Sequence, residues 1–168
     1  MNERESRALA GEVGAALRAA GWLCATAESC TGGLLAGAIT ACPGSSAWFE
    51  RGVVTYSNAA KIEQLRVSPD TLERFGAVSE ETAMEMAGGV LAAVPCAHLA
   101  LSTTGIAGPD GATPGKPVGM VCFGIARRAG DGIVTRAITQ VFDGDRAAVR
   151  AAAVCRALQA ALAELGQG

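Results

Sequence analysis

Apolar residues recur at helical spacing in the first part of the chain. Leu9, Val13 and Leu17 stand four positions apart among alanines and charged residues. This spacing puts them on one side of a helix, so it predicts an amphipathic helix over residues 4–20. Gly21 follows, and glycine commonly ends a helix, so we expect the helix to stop there.

Beyond Gly21 the pattern alternates between strands and helices. Short runs rich in Val, Thr and Ile predict strands, and longer apolar stripes that follow Ser, Asn or Asp predict helices. The predicted strands cover 22–27, 51–57, 99–103, 118–126 and 133–142. The predicted helices cover 31–41, a short segment capped by Asn58, a segment from Ser68 to Gly76, 80–93, and a final stretch that ends at Leu165. The last two strands suit a hairpin around 129–132.

This order of elements defines the expected architecture. Helices that alternate with strands, followed by a hairpin and a closing helix, predict a three-layer α/β/α fold with a mixed, mostly parallel sheet. A length of 168 residues, half of them apolar, suits one domain over residues 1–168. The 35 alanines and 22 glycines, against seven aromatic residues, indicate a core of small side chains and closely approaching backbones.

The reactive side chains are few, and this excludes several classes of function. The chain has one histidine, His98, one tyrosine, Tyr56, and two lysines, Lys61 and Lys116. A Ser-His-Asp triad would have to use His98, and a multi-histidine metal site cannot be built. The chain has a net charge of -2 and few lysines and aromatic residues, so it lacks the side chains that line a nucleic-acid-binding groove. We therefore expect no metal, no cofactor and no nucleic-acid partner.

Six cysteines are spread along the chain without a Cys-x-x-Cys pair, so zinc-ribbon and thioredoxin-like sites are not expected. The first residues contain no hydrophobic signal-peptide segment. Two long uncharged stretches, 29–49 and 86–109, are interrupted by Gly, Ser, Thr and Pro, which a transmembrane helix would rarely tolerate. The composition thus predicts a cytoplasmic, reduced protein that does not enter a membrane.

The first candidate site is the turn at residues 28–33, Glu-Ser-Cys-Thr-Gly-Gly, between a predicted strand and a predicted helix. The first amides of a helix have no partner inside it, so this turn suits an anion, or an oxyanion formed by attack of Ser29. The alternative is structural: Ser29 or Thr31 caps the helix, and the glycines allow close packing. Gly-x-Ser-x-Gly, P-loop and Gly-x-Gly-x-x-Gly patterns do not occur in the chain.

The second candidate site is the stretch 54–61, which contains Tyr56 and Lys61 five residues apart. A serine without an available histidine needs another base, and a poorly solvated lysine can lose its proton near neutral pH. A Ser-Lys pair assisted by a tyrosine hydroxyl is one such arrangement. The alternative is a solvated lysine and a tyrosine that contributes only to packing.

The third candidate site is the segment 103–111, within a stretch rich in glycine and proline. Residues 105–119 contain five glycines and three prolines, too many for a regular element. Consecutive amides between glycines suit a phosphate or a carboxylate, whereas the alternative is a plain connecting loop. Lys116 is either a phosphate ligand or a solvated charge. Arg146 and Arg150, one helical turn apart, either bind an anionic substrate group or remain on a solvated face.

These three segments occur in an order that resembles one family. Together with Gly-Ala-Val-Ser at 76–79 and Pro-Val-Gly at 117–119, they resemble the CinA C-terminal-domain family from the first helix to Arg150. The resemblance implies the activity of its nicotinamide-nucleotide amidohydrolases, which convert nicotinamide mononucleotide (NMN) to nicotinate mononucleotide and ammonia in NAD recycling. It also implies a homo-oligomer. Longer members carry an additional N-terminal domain with pyrophosphatase activity, which we do not expect here.

The resemblance also assigns roles to residues. Glu-Ser-Cys-Thr-Gly-Gly places the nucleophile at Ser29, and Tyr-Ser-Asn-x-x-Lys places Tyr56 and Lys61 in the same catalytic group. Substrate contacts are predicted at the remaining motif positions and at one arginine: Glu28, Cys30, Thr31, Gly32, Gly33, Asn58, Thr104, Gly105, Ala107, Gly108 and Arg146. The chain departs from the family pattern at Thr103, where valine is usual, and at His98, where aspartate is frequent. Neither departure touches the implied chemistry.

Three functions remain to be separated. The first is amide hydrolysis through an acyl-enzyme on Ser29, with Lys61 as the base, directly or through Tyr56, and with amides of residues 30–33 holding the oxyanion. The second is a nucleotide-binding module without turnover, and the third is an amidase for a related heterocycle. A binding module has no need for a buried lysine, so the surroundings of Lys61 help to separate the first two.

Overall fold

Five strands form one open mixed sheet in the computed structural model, which describes residues 3–166. They are β1 (Cys24–Glu28), β2 (Phe49–Val54), β3 (Leu99–Gly105), β4 (Met120–Ala129) and β5 (Gly132–Val141), in the spatial order β2-β1-β3-β4-β5. β1 pairs in parallel with β2 and β3, whereas β4 pairs antiparallel with β3 and β5. Four strands therefore point one way and β4 opposes them, which confirms the predicted mixed, mostly parallel sheet.

Helices cover both faces of this sheet. Within residues 3–166 they are α1 (Glu3–Ala20), α2 (Leu34–Thr40), α3 (Asn58–Leu65), α4 (Pro69–Phe75), α5 (Glu80–Ala93) and α6 (Arg146–Leu165), with a short 3-10 turn at Ser45–Ala47. Helices α1, α2 and α6 pack against one another on one face, and α5 covers the other face with α3 and α4 beside it. This arrangement confirms the predicted three-layer α/β/α fold. No helix in that range is long and apolar enough to cross a bilayer.

Alternate residues of the strands face two separate cores. In β3, Leu99 and Leu101 enter the core beneath α1, α2 and α6, whereas Ala100 enters the core beneath α5. β1 divides in the same way, with Cys24 on the first side and Ala25 on the second. In these strands the larger side chains thus fill one core, and alanines line the sheet beneath α5.

Small side chains let α5 lie very close to its neighbours. A Cβ atom built on Gly124 of β4 would come within 2.0 Å of the carbonyl oxygen of Ala83, and one on Gly89 within 2.0 Å of the carbonyl oxygen of Leu65. No side chain fits at these two positions without a shift of the backbone. Close helix–sheet and helix–helix approach therefore accounts for part of the abundance of alanine and glycine.

Two helix starts differ from the prediction. α2 begins at Leu34 rather than at residue 31, because the two glycines before it adopt left-handed backbone angles, with φ of 57° and 97°. α3 is capped by Ser57 and not by Asn58, since the Ser57 hydroxyl accepts a hydrogen bond from the amide of Ala60 at 3.1 Å. Both helices directly follow a turn at the end of a strand, and these two turns carry the candidate site.

Candidate active site

Strands β1 and β2 bring two separate segments of the chain to one edge of the sheet. They run parallel, and Glu28 at the end of β1 pairs with Val54 at the end of β2. Ser29 follows the first strand directly, and Lys61 lies near the start of α3, which follows the second. The carboxyl ends of parallel strands meet at the same edge, where ligands usually bind in α/β folds. The topology therefore places Ser29 and Lys61 side by side.

Lys61 donates a hydrogen bond to Ser29 in a buried environment. Its Nζ atom lies 3.0 Å from Ser29 Oγ, 2.8 Å from the carbonyl oxygen of Thr55 and 3.3 Å from that of Tyr56. The residue is 1% exposed, and within residues 3–166 no carboxylate pairs with it. Burial disfavours the ammonium form and lowers the pKa of Lys61 below its ordinary value of 10.5. A lowered pKa favours the neutral amine that a general base requires.

Cys30 follows Ser29 but is a poor alternative nucleophile. Burial raises the pKa of its thiol to about 12, so the thiol stays protonated at neutral pH. Its side chain packs in the core beneath α1, α2 and α6. Ser29 is therefore the better candidate nucleophile in the turn at residues 28–33, called the Ser29 turn below.

The carboxyl group of Glu28 holds the Ser29 turn against the start of α2. It is fully buried and accepts hydrogen bonds from the Thr31 hydroxyl (2.6 Å) and from the amides of Leu35 (2.8 Å), Ala36 (3.0 Å) and Gly33 (3.2 Å). A carboxylate in this place satisfies amides that lack a partner inside the helix. These contacts are all internal to the turn and the helix, and the substrate contact expected at Glu28 stays a prediction.

Only part of the Ser29 turn keeps backbone amides available to a ligand. The amides of its two glycines are already used, one by the Glu28 carboxyl at 3.2 Å and the other by the carbonyl oxygen of Ser29 at 3.1 Å. In the part of the chain that the structure describes, the amides of Cys30 and Thr31 have no backbone carbonyl as acceptor. Of these two residues, Thr31 is fully buried and Cys30 is 7% exposed, and the oxyanion donors expected from residues 30–33 stay a prediction.

A cavity of about 180 Å³ opens beside the Ser29 hydroxyl. It is lined by Ser29, Cys30, Tyr56, Lys61, Ala77, Val78, Thr104, Gly105, Ala107 and Arg146. Sites that enclose a drug-sized ligand span roughly 300–1,000 Å³, so this cavity suits one ring-sized group and leaves larger parts of a ligand outside. A groove of about 920 Å³ along α5 contains none of these residues. The smaller cavity is the candidate site because it holds the buried lysine and serine.

The cavity brings together some of the predicted residues and leaves others outside. Its lining includes the three predicted catalytic residues and five predicted substrate contacts: Cys30, Thr104, Gly105, Ala107 and Arg146. Six predicted contacts do not line it: Glu28, Thr31, Gly32, Gly33, Asn58 and Gly108. Thr31 is fully buried, and its hydroxyl also meets that of Thr103 at 2.7 Å. Asn58 is exposed to solvent at the start of α3.

Ala77 and Val78 line the cavity without having been predicted as site residues. They lie between α4 and α5, and the Thr104 hydroxyl donates to the carbonyl oxygen of Ala77 at 2.6 Å. The sequence signal for them is the Gly-Ala-Val-Ser motif at 76–79. Alanine and valine carry no reactive group, so the sequence alone assigns them no role.

Tyr56 and Arg146 lie together at the edge of the cavity. Tyr56 is 64% exposed, and its hydroxyl accepts a hydrogen bond from Arg146 Nη2 at 3.2 Å. Arg146 Nη1 donates to the carbonyl oxygen of Gly108 at 2.8 Å. The Tyr56 hydroxyl thus contacts Arg146, and it is the Tyr56 carbonyl oxygen that reaches Lys61. Arg146 supplies positive charge here, which suits an anionic group of a ligand.

Three other cationic or titratable side chains have structural contacts outside the cavity lining. Arg150 donates to carbonyl oxygens of the Ser29 turn, and Lys116 donates to the carbonyl oxygen of Phe75. His98 accepts from a backbone amide at 3.2 Å and stacks on Trp22, so it has partners that the sequence did not reveal. Within residues 3–166, no three His, Cys, Asp or Glu side chains are grouped as metal ligands would be.

The fold and these contacts define an α/β protein with a serine–lysine site at the carboxyl edge of its parallel strands. A family model described as the CinA C-terminal domain matches residues 6–165. The chain therefore belongs to the CinA C-terminal domain family, which confirms the resemblance found in its motifs.

Relatives and solved structures match nearly the whole chain. It is 56% identical over 164 residues to the nicotinamide-nucleotide amidohydrolase PncC of Enterobacter agglomerans, with 98% of each chain covered. It is 52% identical over 159 residues to the protein of the same name from Escherichia coli K12, with 95% and 94% covered. The crystal structure of the competence damage-inducible protein A from Klebsiella pneumoniae superimposes with a TM-score of 0.90 at 41% identity, with 96% and 97% covered.

Proposed function

We propose that this protein hydrolyses the carboxamide of NMN to nicotinate mononucleotide and ammonia, as a step of NAD recycling. The proposal is supported by two relatives named nicotinamide-nucleotide amidohydrolase, which align with nearly the whole chain at 56% and 52% identity. The observation that carries the chemistry is the buried contact of 3.0 Å between Lys61 Nζ and Ser29 Oγ.

The first half of the reaction forms an acyl-enzyme on Ser29. Neutral Lys61 accepts the hydroxyl proton while Oγ attacks the carboxamide carbon, and the carbonyl π electrons move onto oxygen. The amide of Cys30, a residue that lines the cavity, donates a hydrogen bond to this oxyanion. When the C=O bond re-forms, the C–N bond breaks. Lys61 gives its proton to the departing nitrogen, and ammonia leaves.

The second half of the reaction releases the acid. Water takes the place of ammonia, gives a proton to Lys61 and attacks the acyl carbon. Collapse of the second tetrahedral intermediate breaks the bond to Ser29 Oγ, which regains the proton from Lys61, and nicotinate mononucleotide leaves. Lys61 thus acts once as base and once as acid in each half, a role that a lowered pKa favours.

The nucleotide part of NMN extends from the cavity toward Arg146. A cavity of about 180 Å³ suits the pyridine ring and its carboxamide, with Thr104 and Gly105 in its lining. Within residues 3–166 Arg146 pairs with no carboxylate, so its guanidinium is available to the 5′-phosphate. Tyr56 belongs to the catalytic group because its carbonyl oxygen holds Lys61 while its hydroxyl holds Arg146.

Ammonia release from NMN by the purified protein tests the proposed function. We expect turnover by the wild type and a loss of kcat/KM on the order of 10⁴-fold or more in Ser29→Ala, because the attacking atom is removed. Ser46→Ala changes an exposed serine in the 3-10 turn and is the matched control, with wild-type activity expected. Binding of NMN without ammonia release would favour the binding module. Faster hydrolysis of another heteroaromatic amide would favour a related amidase.

We also propose that residues 1–168 act as one domain, that the protein is cytoplasmic, and that it forms a homo-oligomer. Assembly is supported by exposed apolar side chains beside the Ser29 turn, Leu34 (43% exposed) and Val54 (46% exposed). A reducing compartment is supported by the six cysteines, all of them unpaired. Light scattering after size-exclusion chromatography should give a mass above that of one chain, and the mass of a monomer would contradict the proposed assembly.

A further inference from the structure

The chain between α4 and α5 forms one wall of the cavity, at Ala77 and Val78. Three successive carbonyl oxygens in this segment accept hydrogen bonds from side chains of other parts of the protein. They are the oxygen of Phe75, bonded to Lys116, that of Gly76, bonded to Thr82 Oγ1 at 2.7 Å, and that of Ala77, bonded to Thr104 Oγ1 at 2.6 Å. The wall is therefore held by the glycine-rich stretch, by α5 and by β3, and it has little freedom to move when a ligand enters.

Val78 contributes its side chain to this wall rather than to a hydrophobic core. Ala77 packs against the core beneath α5, whereas neither of the two cores formed within residues 3–166 includes Val78. Val78 is nevertheless only partly exposed to solvent, and it lines the cavity. Its side chain is therefore covered by the surroundings of the cavity.

Val78 also has the largest aliphatic side chain in the cavity lining. The other aliphatic residues of the lining are two alanines, Ala77 and Ala107. In the proposed function the carboxamide lies at Ser29 and Lys61, so the ring that carries it needs apolar surface elsewhere in the cavity. Val78 offers more of this surface than either alanine.

We propose that Val78 is a specificity-determining residue: its side chain packs against the ring of the substrate and limits the site to amides of a single six-membered heteroaromatic ring. The inference rests on the proposed function, which places that ring in the cavity. A cavity of about 180 Å³ holds one ring-sized group, and the bonded carbonyl oxygens keep the wall from moving aside for a second ring. One missing or extra methylene in a hydrophobic pocket changes discrimination by about 10- to 200-fold, so the side chain of one valine suffices for a measurable preference.

The relative affinity for one-ring and two-ring amides tests this role. The probes are nicotinamide, quinoline-3-carboxamide and isoquinoline-4-carboxamide, of which the last two keep the pyridine carboxamide and add a fused ring at different edges. Their Kd values are measured by ligand-observed NMR titration. We expect the wild type to bind nicotinamide about tenfold or more tighter than either two-ring amide, and Val78→Ala to shift the ratio toward at least one of them by about tenfold or more. A ratio of two Kd values does not depend on the fraction of folded protein, so a merely structural role would not move it.

Three further variants separate the size of the side chain at position 78 from other effects. Val78→Thr keeps the size and shape of the side chain, so its ratio of Kd values should stay within about threefold of the wild-type ratio. Val78→Ile adds one methylene where the wall does not yield, so kcat/KM for NMN should fall about tenfold or more. Val134→Ala is the matched control, because Val134 on β5 is 57% exposed and lies outside the cavity lining. It should keep the wild-type ratio and kcat/KM.

The outcomes separate this inference from the proposed function. Ratios in Val78→Ala within about threefold of the wild-type ratios for both two-ring amides would overturn the role of Val78 while leaving NMN hydrolysis in place. A wild type that binds a two-ring amide as tightly as nicotinamide would do the same. A wild type that releases no ammonia from NMN would overturn the proposed function, and the ratios would still decide the role of Val78 because binding requires no turnover. If Val78→Ala shows no thermal unfolding transition, Val78→Ile decides the question, since a Kd for nicotinamide within about threefold of the wild-type value would overturn the role.

Discussion

Lys61 Nζ lies 3.0 Å from Ser29 Oγ although the two residues are 32 positions apart in the chain. They meet because the parallel strands β1 and β2 end at the same edge of the sheet, and each strand is followed at once by a turn into a helix. Both residues are shielded from water, at 1% and 8% exposure. In the proposed mechanism the protonation of Lys61 decides whether Ser29 can be activated, so pH is the most direct probe of the pair.

The first prediction concerns the pH dependence of NMN hydrolysis. Because burial lowers the pKa of Lys61 below 10.5, the neutral amine is populated at lower pH than in a solvated lysine. We expect kcat/KM to rise with pH and level off with an apparent pKa below 10.5, measured as ammonia release between about pH 6 and about pH 10. Lys61→Met should lower the plateau about 10²–10⁴-fold.

Lys116→Met is the matched control for this pH profile. Lys116 donates to the carbonyl oxygen of Phe75 and does not line the cavity, so its removal should leave the rise with pH in place. A Lys61→Met variant that kept the same rise with the same apparent pKa would contradict the assignment of Lys61 as the base.

The second prediction concerns stability, and its sign follows from the same lowered pKa. The unfolded chain holds the Lys61 proton more tightly than the folded chain, so unfolding takes up a proton between the folded pKa and 10.5. The contribution of Lys61 to the free energy of unfolding therefore rises with pH between the folded pKa and 10.5. At pH values below this window Lys61 is charged in both states, and the folded chain bears the full cost of burying the charge. Lys61→Met removes the penalty. Its stability relative to the wild type should be greatest below the window and fall as pH rises, measured by urea unfolding at several pH values. A difference that does not change with pH would contradict this linkage.

The third prediction concerns the Tyr56 hydroxyl. It contacts Arg146 at 3.2 Å, while Lys61 contacts Ser29 directly, so no proton has to pass through the tyrosine. We expect Tyr56→Phe to keep kcat for NMN within about tenfold of the wild type, because loss of a general acid–base group costs about 10²–10⁴-fold. Tyr56→Phe keeps the ring and the backbone, so it serves as its own control for packing. A loss of kcat in the larger range would instead place the hydroxyl on the proton path.

Local patterns in the sequence were enough to predict most of the fold. Stripes of apolar residues located α1 and α6, the capping serine and acidic residues at 79–81 located α5, and the short polar turn around Gly130 located the hairpin of β4 and β5. The start of α2 was predicted three residues too early, because the left-handed angles of the glycines before Leu34 leave no mark on the apolar pattern. The order of the strands was not predictable, since the position of β1 between β2 and β3 depends on contacts between distant segments.

The sequence was a better guide to which residues belong to the candidate site than to the role of each residue. Glu28 stands next to Ser29 in the chain, and nothing in that position reveals that its carboxyl turns inward to hold α2. Arg146 and Arg150 are equivalent by spacing, yet Arg146 lies at the cavity and Arg150 bonds to carbonyl oxygens 119 and 120 positions away. Roles that depend on contacts with residues distant in the sequence can be assigned only from the folded structure.

The fourth prediction concerns the buried carboxyl of Glu28, which accepts four hydrogen bonds from the Ser29 turn and α2. Glutamine has only one oxygen, so in Glu28→Gln the NH₂ group must face at least one of these donors. We expect a loss of about 1.5–3 kcal/mol in the free energy of unfolding, measured in urea. Glu12→Gln, at an exposed position of α1, should change it by less than about 0.5 kcal/mol. Equal effects of the two changes would contradict the capping role of Glu28.

The fifth prediction uses one chemical change, glycine to alanine, in two places. At Gly124 the new methyl group would lie 2.0 Å from the carbonyl oxygen of Ala83 and 2.5 Å from Ser102 Oγ, so α5 has to move away from the sheet. We expect Gly124→Ala to lower the free energy of unfolding by about 1–3 kcal/mol or more. Gly11 lies on the exposed side of α1, and no atom lies within 4 Å of a Cβ atom added there. Because alanine has a higher helix propensity than glycine, Gly11→Ala should raise the free energy of unfolding by up to about 1 kcal/mol. Urea unfolding should therefore show a lower free energy of unfolding for Gly124→Ala and a higher one for Gly11→Ala than for the wild type. Stabilisation by both changes would show that close packing under α5 does not require glycine, and the high glycine content would then need another cause.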